Sequence, residues 1–369
     1  MKPPVAVPLD LVCLSDLSEA AALDWQDFLT NARHQHPRQD PRFASVARAD
    51  GWEVCHVIGR DRVGKIRATG LFSMRRHPVL PGAFAEARCL SGPVCDDATV
   101  MVTFLDGVLN LPAFARVGRV KVTPYWVQQE AGIMADALSA HGWKIAEADA
   151  FRQTGHVDIT PPVSAIMESF SKSARREVRR AERQNITVRP VLDDAGALEF
   201  LDSLNRLRKA RRIGAIARPG YMAAFQHMYK DGDLGIILGA YHGGVFVAGL
   251  QLYRGRFTAH GRQFTTETAR LHALGNLRIA PLLWLKGMEW AQSKGCTALD
   301  VEGWRENVDP TEKKYNLYKY KSGFSPRAIQ RISERSKVAN RLVDVTGNLK
   351  NDLRTMVRDL LRGLLPRLA

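Results

Sequence analysis

The chain has 369 residues, 45% of them apolar and 25% charged, and carries a formal charge of +15. That length accommodates two domains of ordinary size, and the balance is that of a soluble globular chain, which excludes the disordered and fibrous classes. No apolar run approaches the roughly 20 residues that span a bilayer, and the prolines of the N-terminal MKPPVAVPLDLVCL interrupt the apolar helix that a signal peptide needs.

The excess of positive charge draws a protein towards nucleic acid, an anionic membrane face or a phosphorylated substrate, and does not separate the three. The five cysteines, Cys13, Cys55, Cys89, Cys95 and Cys296, are scattered and contain no C-x-x-C. They read as buried thiols of a reducing cytoplasm.

In chain order, the pattern predicts a helix over 18–34, with Leu23, Phe28 and Leu29 on its apolar side. The segment 34–41, HQHPRQDP, reads as a polar loop. No further ligand stands at a useful spacing from His34 and His36, so no metal site is expected. Alternation over 52–58 and 66–73, with Gly59 to Gly64 between, predicts a hairpin. A helix over 97–116, a strand over 119–123 ended by Pro124, a helix over 126–139 and a strand from 143 follow. His141-Gly142 closes the last helix, as glycine suits the left-handed position after a helix end.

Thr160-Pro161-Pro162 marks a boundary. Beyond it, 170–184 reads as a helix. At about 100° per residue, Lys172, Arg175, Arg176, Arg179, Arg180 and Arg183 share one arc, and Phe170, Ala174, Val178 and Ala181 share the opposite one. The cationic arc is either a solvated face or a binding surface for phosphates of tRNA or lipid. A strand over 186–190 and a helix over 194–212 come next. Strands over 234–241, 245–252 and 257–264 then form an antiparallel meander, the first two joined at His242-Gly243-Gly244. His260, on the third strand, reads as a buried, hydrogen-bonded histidine.

A helix over 277–293, closed by Lys294-Gly295, leads to a strand over 296–301. Helix, glycine, strand therefore occurs at similar places in each half, a hint of a tandem pair. The stretch LDVEGWRENVDPTEKKYNLYKYKSGF, 299–324, sets Asp300, Glu302, Arg305 and Lys321 among apolar neighbours, the mixture of a site at the carboxyl end of a strand. An ion pair of Asp300 or Glu302 with Arg305 is the plain alternative. In the tail, Leu342, Val345, Leu349, Leu353, Met356, Leu360 and Leu364 recur every three or four residues, with Arg341, Lys350, Arg354, Arg358 and Arg362 off that stripe. This predicts a basic amphipathic helix that docks on the protein itself or lies on an anionic membrane surface.

Asp300, Gly303 and then Tyr320-Lys321-Ser322-Gly323-Phe324 resemble the C-terminal pattern of the Fem family of aminoacyl-tRNA-dependent transferases, with Tyr in place of the usual Phe. The basic run 172–183 resembles the helix that enters that family's second domain. Ser91-Gly92-Pro93-Val94 resembles a segment of the first, with Ser where Arg is usual. The resemblance covers about residues 20–333 and implies an α+β chain of two tandem GNAT-like (acetyltransferase-like, acyl-CoA N-acyltransferase) domains. The expected bounds are 1–160, 161–335 and a basic C-terminal helix at 336–369.

It further implies transfer of an aminoacyl or acyl group to an amine, cytoplasmic and in peripheral contact with the inner membrane face. The donor is aminoacyl-tRNA or an acyl thioester such as acyl-CoA. The acceptor is a cell-wall precursor peptide or a small-molecule amine. No G-x-S-x-G, P-loop or G-x-G-x-x-G is present, so direct attack without a covalent enzyme intermediate is expected, with no cofactor and no metal. In this reading Lys321 steadies developing charge at the acyl donor and Asp300 or Glu302 takes the proton. Tyr320 shapes the pocket, Arg305 lies at the substrate, and Arg212, in a family-like Arg-x-Gly, binds an acidic group of the acceptor or simply ends its helix. The other class left open is a non-catalytic nucleic-acid or membrane adaptor on the same fold.

Overall fold

The computed structural model of the chain describes residues 8–146, 149, 151–312 and 314–346. The fold divides into two compact units, Met1–Ala150 with Ile332–Ala369, and Phe151–Arg331. The first carries β1 (Asp10–Leu14), β2 (Glu53–Arg60), β3 (Ile66–Arg76), β4 (Phe84–Cys89), β5 (Val117–Val122) and β6 (Lys144–Ile145). Its helices are α1 (Glu19–Asn31), α2 (Phe43–Ala49), α3 (Ala98–Asn110) and α4 (Gln128–Ala140).

The second unit carries β7 (Phe151–Asp158), β8 (Thr187–Pro190), β9 (Gly235–His242), β10 (Val245–Arg254), β11 (Thr258–Thr266), β12 (Ala298–Asp300) and β13 (Arg327–Ile332). Its helices are α5 (Val163–Ser169), α6 (Lys172–Arg183), α7 (Asp194–Ala210), α8 (Arg218–Ala224), α9 (Thr268–Ala273), α10 (Ala280–Ser293) and α11 (Tyr315–Ser322). The chain then returns to the first unit with β14 (Arg335–Val338).

Each unit holds one mixed sheet of seven described strands. The first runs β1-β2-β3-β4-β5-β14-β6 and the second, read in the matching direction, β8-β9-β10-β11-β12-β7-β13. The two orders are the same. Each has a parallel pair, β4 with β5 and β11 with β12, bridged by a crossover that contains a helix. In each sheet the strand beside that pair, β14 or β7, comes from elsewhere in the chain and runs antiparallel to its partner.

The tandem pair hinted at in the sequence is therefore present, but its elements pair differently. By position in the sheets, α10 matches α3 and β12 matches β5, not α4 and β6. Helix, glycine, strand is too common a grammar to fix such an alignment.

Several other expectations change. Strand β7 begins at Phe151, before the expected boundary at 160, so Thr160-Pro161-Pro162 lies inside the second unit. The expected boundary at 335 falls inside β14. The segment 34–41 is not a solvated loop, because His34, His36, Gln39 and Asp40 are all buried. Its polar groups are satisfied internally. Gln39 donates to Leu90 O and accepts from Leu71 N, while Trp25 Nε1 donates to the Gln39 carbonyl. Cys13 and Cys55 are joined in a disulfide, whereas Cys89, Cys95 and Cys296 are buried thiols.

Residues 336–338 of the expected tail helix belong to a strand. Over 341–346 it is Val343 that is buried, while Leu342 is 81% and Val345 51% exposed. The remainder of that helix, from 347, lies outside the described residues.

The core of the second unit sets the site. Helix α10 starts with proline in its first turn, where a missing N–H costs nothing. It buries Leu283 and Met288 among Leu250, Leu252 and Leu299 of the sheet, with Phe170, Ala174, Val178 and Ala181 in the same cluster. Truncating such a fully buried leucine to alanine costs about 2–5 kcal/mol, so the ends of β11 and β12 are firmly held.

Candidate active site

Asp300 is the last residue of β12 and is 0% exposed. Strand register puts His260 of β11 directly on one side of it and His156 of β7 directly on the other. The carboxylate Oδ2 lies 3.6 Å from His156 Nε2 and 3.6 Å from His260 Nδ1. Oδ1 accepts from the Thr154 hydroxyl and, at 2.7 Å, from the Glu302 backbone N–H. Burial pushes this acid up, but the two facing imidazoles more than reverse that and hold it well below the usual carboxylate range. Asp300 is thus a saturated anion and a poor proton acceptor, so its part is to fix what surrounds it.

In the first sheet the matching position is Val122, flanked by Cys89 and Arg335. The Asp-His-His row of the second unit has no counterpart at these positions.

Past Asp300 the backbone turns sharply. Glu302 and Gly303 both take left-handed conformations, φ 46° and 48°. For glutamate that conformation is strained, and strain of this kind concentrates at functional sites. The turn points the Val301 and Glu302 carbonyls at Lys321 of α11, whose Nζ donates to Val301 O at 2.8 Å and to Glu302 O. Burial pulls the Lys321 ammonium down to about 8, against the opposing pull of Glu302 and Asp300.

The rest of the Tyr-Lys-Ser-Gly-Phe motif holds that lysine. Phe324 is fully buried, with Tyr320 and Phe170 edge-on at 5.2 Å. The Gly323 carbonyl accepts from Ser171 N, and a Cβ on Gly323 would meet Tyr320 O at 3.0 Å and Ser171 Oγ at 3.2 Å, so the start of α6 approaches closely only over glycine. Tyr320 packs in this aromatic group, and burial pushes its phenol well above the ordinary range.

The structure brings Asp300, Glu302, Lys321 and Tyr320 together. Arg305 is not their ion-pair partner: it pairs with Glu312 and stands 6.0 Å from the Tyr318 ring. Arg212 lies two residues past α7, with φ 56°, and is exposed, and among the described residues its guanidinium has no ion-pair partner. That is the plain helix-end cation, joined to the site by no contact.

Helix α6 sorts its six cations by exposure. Lys172, Arg176, Arg179 and Arg183 are exposed. Arg175 bonds the carbonyls of Glu168 and Phe170, and Arg180 bonds Gly275 O at 2.6 Å, so these two tie the helix down. Glu177 is buried, within 3.4 Å of Arg176 and 3.7 Å of Arg180.

Sequence reasoning missed Thr154 and His156 because it missed β7. The alternation in Phe151-Arg-Gln-Thr-Gly-His-Val-Asp158 was the available signal. Nothing local, however, indicates that β7 lies beside β12, about 145 residues on in sequence.

Residues 168–322 match the family described as "Acetyltransferase (GNAT) domain". No curated protein matches the chain. Among solved structures, the chain is similar to FemX at 13% identity and a TM-score of 0.74, over 89% of this chain and 97% of that one. It is also similar to a tandem GNAT protein from the clavulanic acid biosynthesis pathway (15%, TM-score 0.51, 90% and 99% covered) and to L-PGS from Bacillus licheniformis (11%, 0.50, 90% and 95%). The fold is therefore a tandem GNAT fold like that of FemX, and residues 168–322 carry the acetyltransferase (GNAT) match. No helix among the described residues is long and apolar enough to cross a membrane.

Proposed function

We propose that this chain moves an aminoacyl group from aminoacyl-tRNA to an amine by direct attack, the acceptor being a cell-wall precursor peptide or a small-molecule amine. The observation that carries this reading is the hydrogen bonding of Lys321. An ammonium has three donors. Two are directed at the Val301 and Glu302 carbonyls, which leaves the third for the oxygen of an incoming acyl group. A cation fixed in this way stabilises charge as it develops on that oxygen, and the protein otherwise needs only to hold amine and ester within attack distance. The exposed cations Lys172, Arg176, Arg179 and Arg183 support a polyanionic carrier for the donor.

A second reading, transfer from an acyl thioester, is favoured by the GNAT family match and by the likeness to a tandem GNAT protein. Both readings share Lys321. The test supplies charged tRNA or acyl-CoA together with amine acceptors and follows products by mass spectrometry. Lys321→Ala should lower turnover about a hundredfold, the typical effect of deleting one charge-stabilising donor. Full activity in that variant would refute the assignment, and the donor that supports turnover decides between the two carriers.

A further inference from the structure

In the transferase reading, on which this inference rests, the amine that attacks must lose a proton. The sequence offers Asp300 or Glu302 for that step. The geometry points to His260 instead: we infer that His260, oriented by Asp300, accepts the proton of the attacking amine and that Glu302 relays it outward.

Four observations converge on this ring. His260 is 1% exposed and sits in register between Asp300 of β12 and Tyr253 of β10, so its ring is fixed from both sides. The Asp300 carboxylate faces Nδ1 at 3.6 Å, and a negative charge on that side favours the neutral tautomer with its proton on Nδ1, which leaves the basic lone pair on the other nitrogen. A ring nitrogen of His260 and a carboxylate oxygen of Glu302 lie within 4.8 Å, so the imidazolium formed would have one acid beside it and another behind. The β-bulge of this strand falls between Gln251 and Leu252 of β10, opposite Arg262, which interacts with Tyr253 and Glu302 and places a fixed cation at the same rim. Among the described residues of this unit, the charged and titratable groups around the ring include Asp300, His156, Glu302, Tyr253, Arg262 and, across the turn, Lys321.

The step balances without a further reagent. The amine nitrogen bonds to the acyl carbon as the carbonyl oxygen takes the electron pair near Lys321. The ammonium proton passes to His260. The bond from carbon to the leaving oxygen or sulfur then breaks, and that atom takes a proton from the imidazolium, directly or through Glu302. His260 ends neutral, as it began. Asp300 stays ionised throughout and is a positioning residue, in keeping with its saturated hydrogen bonding.

The test is chemical rescue in the full chain. With charged tRNA or acyl-CoA as donor and glycinamide as acceptor, His260→Ala should lose about a hundredfold or more of the transfer rate. Added imidazole should restore part of it, more strongly as pH rises and the base form accumulates. A control at His156, His156→Ala, should lose less and gain nothing from imidazole. If His260→Ala does not fold, His260→Gln is measured in its place, with loss of the base-dependent limb of the pH–rate profile as the criterion. Transfer that survives both His260 variants, or rescue at His156 and not at His260, overturns this inference alone. Absence of transfer by the wild type with either donor overturns the transferase reading and this inference with it.

Discussion

Lys321 is a cation held where a cation is costly. Its value of about 8 in the folded chain, against 10.5 for the ordinary side chain, reflects loss of water around the ammonium. Between those two values the unfolded chain binds more protons than the folded one, so stability rises as pH climbs from about 8 to 10.5. Lys321→Met lacks that titration. Urea midpoints of wild type and variant, measured across the window, should diverge in favour of the wild type with increasing pH, and parallel curves would show that the ammonium is not desolvated. The residues that carry the motif, Asp300, Lys321, Gly323 and Phe324, were legible in sequence because their spacing is local. Their roles were less so. Asp300 looks like a base in the sequence and is an anchor in the structure, since its two histidines reach it only through strand pairing.

At the scale of elements, α6 performs two tasks that the helical pattern merges. The apolar arc was legible, and Ala174, Val178 and Ala181 are buried as it requires. The cationic arc reads as uniform but is not. Arg175 and Arg180 bond carbonyls of neighbouring segments, whereas Lys172, Arg176, Arg179 and Arg183 face solvent. Changing those four to glutamine should flatten the dependence of log K on log salt for tRNA binding by roughly 0.7–0.9 for each phosphate no longer neutralised. Arg180→Gln should leave that slope unchanged and lower stability by about 1 kcal/mol, the usual worth of one hydrogen bond. Filter binding at several salt concentrations, paired with thermal melts, separates the two. An unaltered slope in the fourfold variant would remove α6 from the nucleic-acid interface. The strands of the first hairpin and of the meander were read from their alternation. Strands β1, β4, β7, β13 and β14 were not, although β7 alternates, because a short strand acquires its place from the sheet it enters.

At the scale of the molecule, the two sheets share one strand order, and the strand beside the parallel pair is β7, the first of its unit, in one and β14, which follows the whole second unit, in the other. Strand β14 lies between β5 and β6 and pairs with both. Asp344, six residues past β14, receives Arg119 at 2.7 Å and 2.9 Å. A chain cut after Arg331 should therefore lose the cooperative melting of the first unit, with β6 left unpaired, while Phe151–Arg331 retains its own transition. Calorimetry of the cut chain beside the intact one tests this, and an unchanged first transition would mean that β14 is dispensable.

The order in which β14 arrives has a consequence for biosynthesis. The N-terminal sheet cannot be completed until the ribosome has made residue 338, so its first six strands must wait while the whole of Phe151–Arg331 is produced. The later-made body, whose strands are all contiguous, is free to mature first. It behaves as a cassette spliced into the older half, and its exchange for a relative's, cut at 150 and 332, is the natural route to a hybrid with altered chemistry on an unchanged frame.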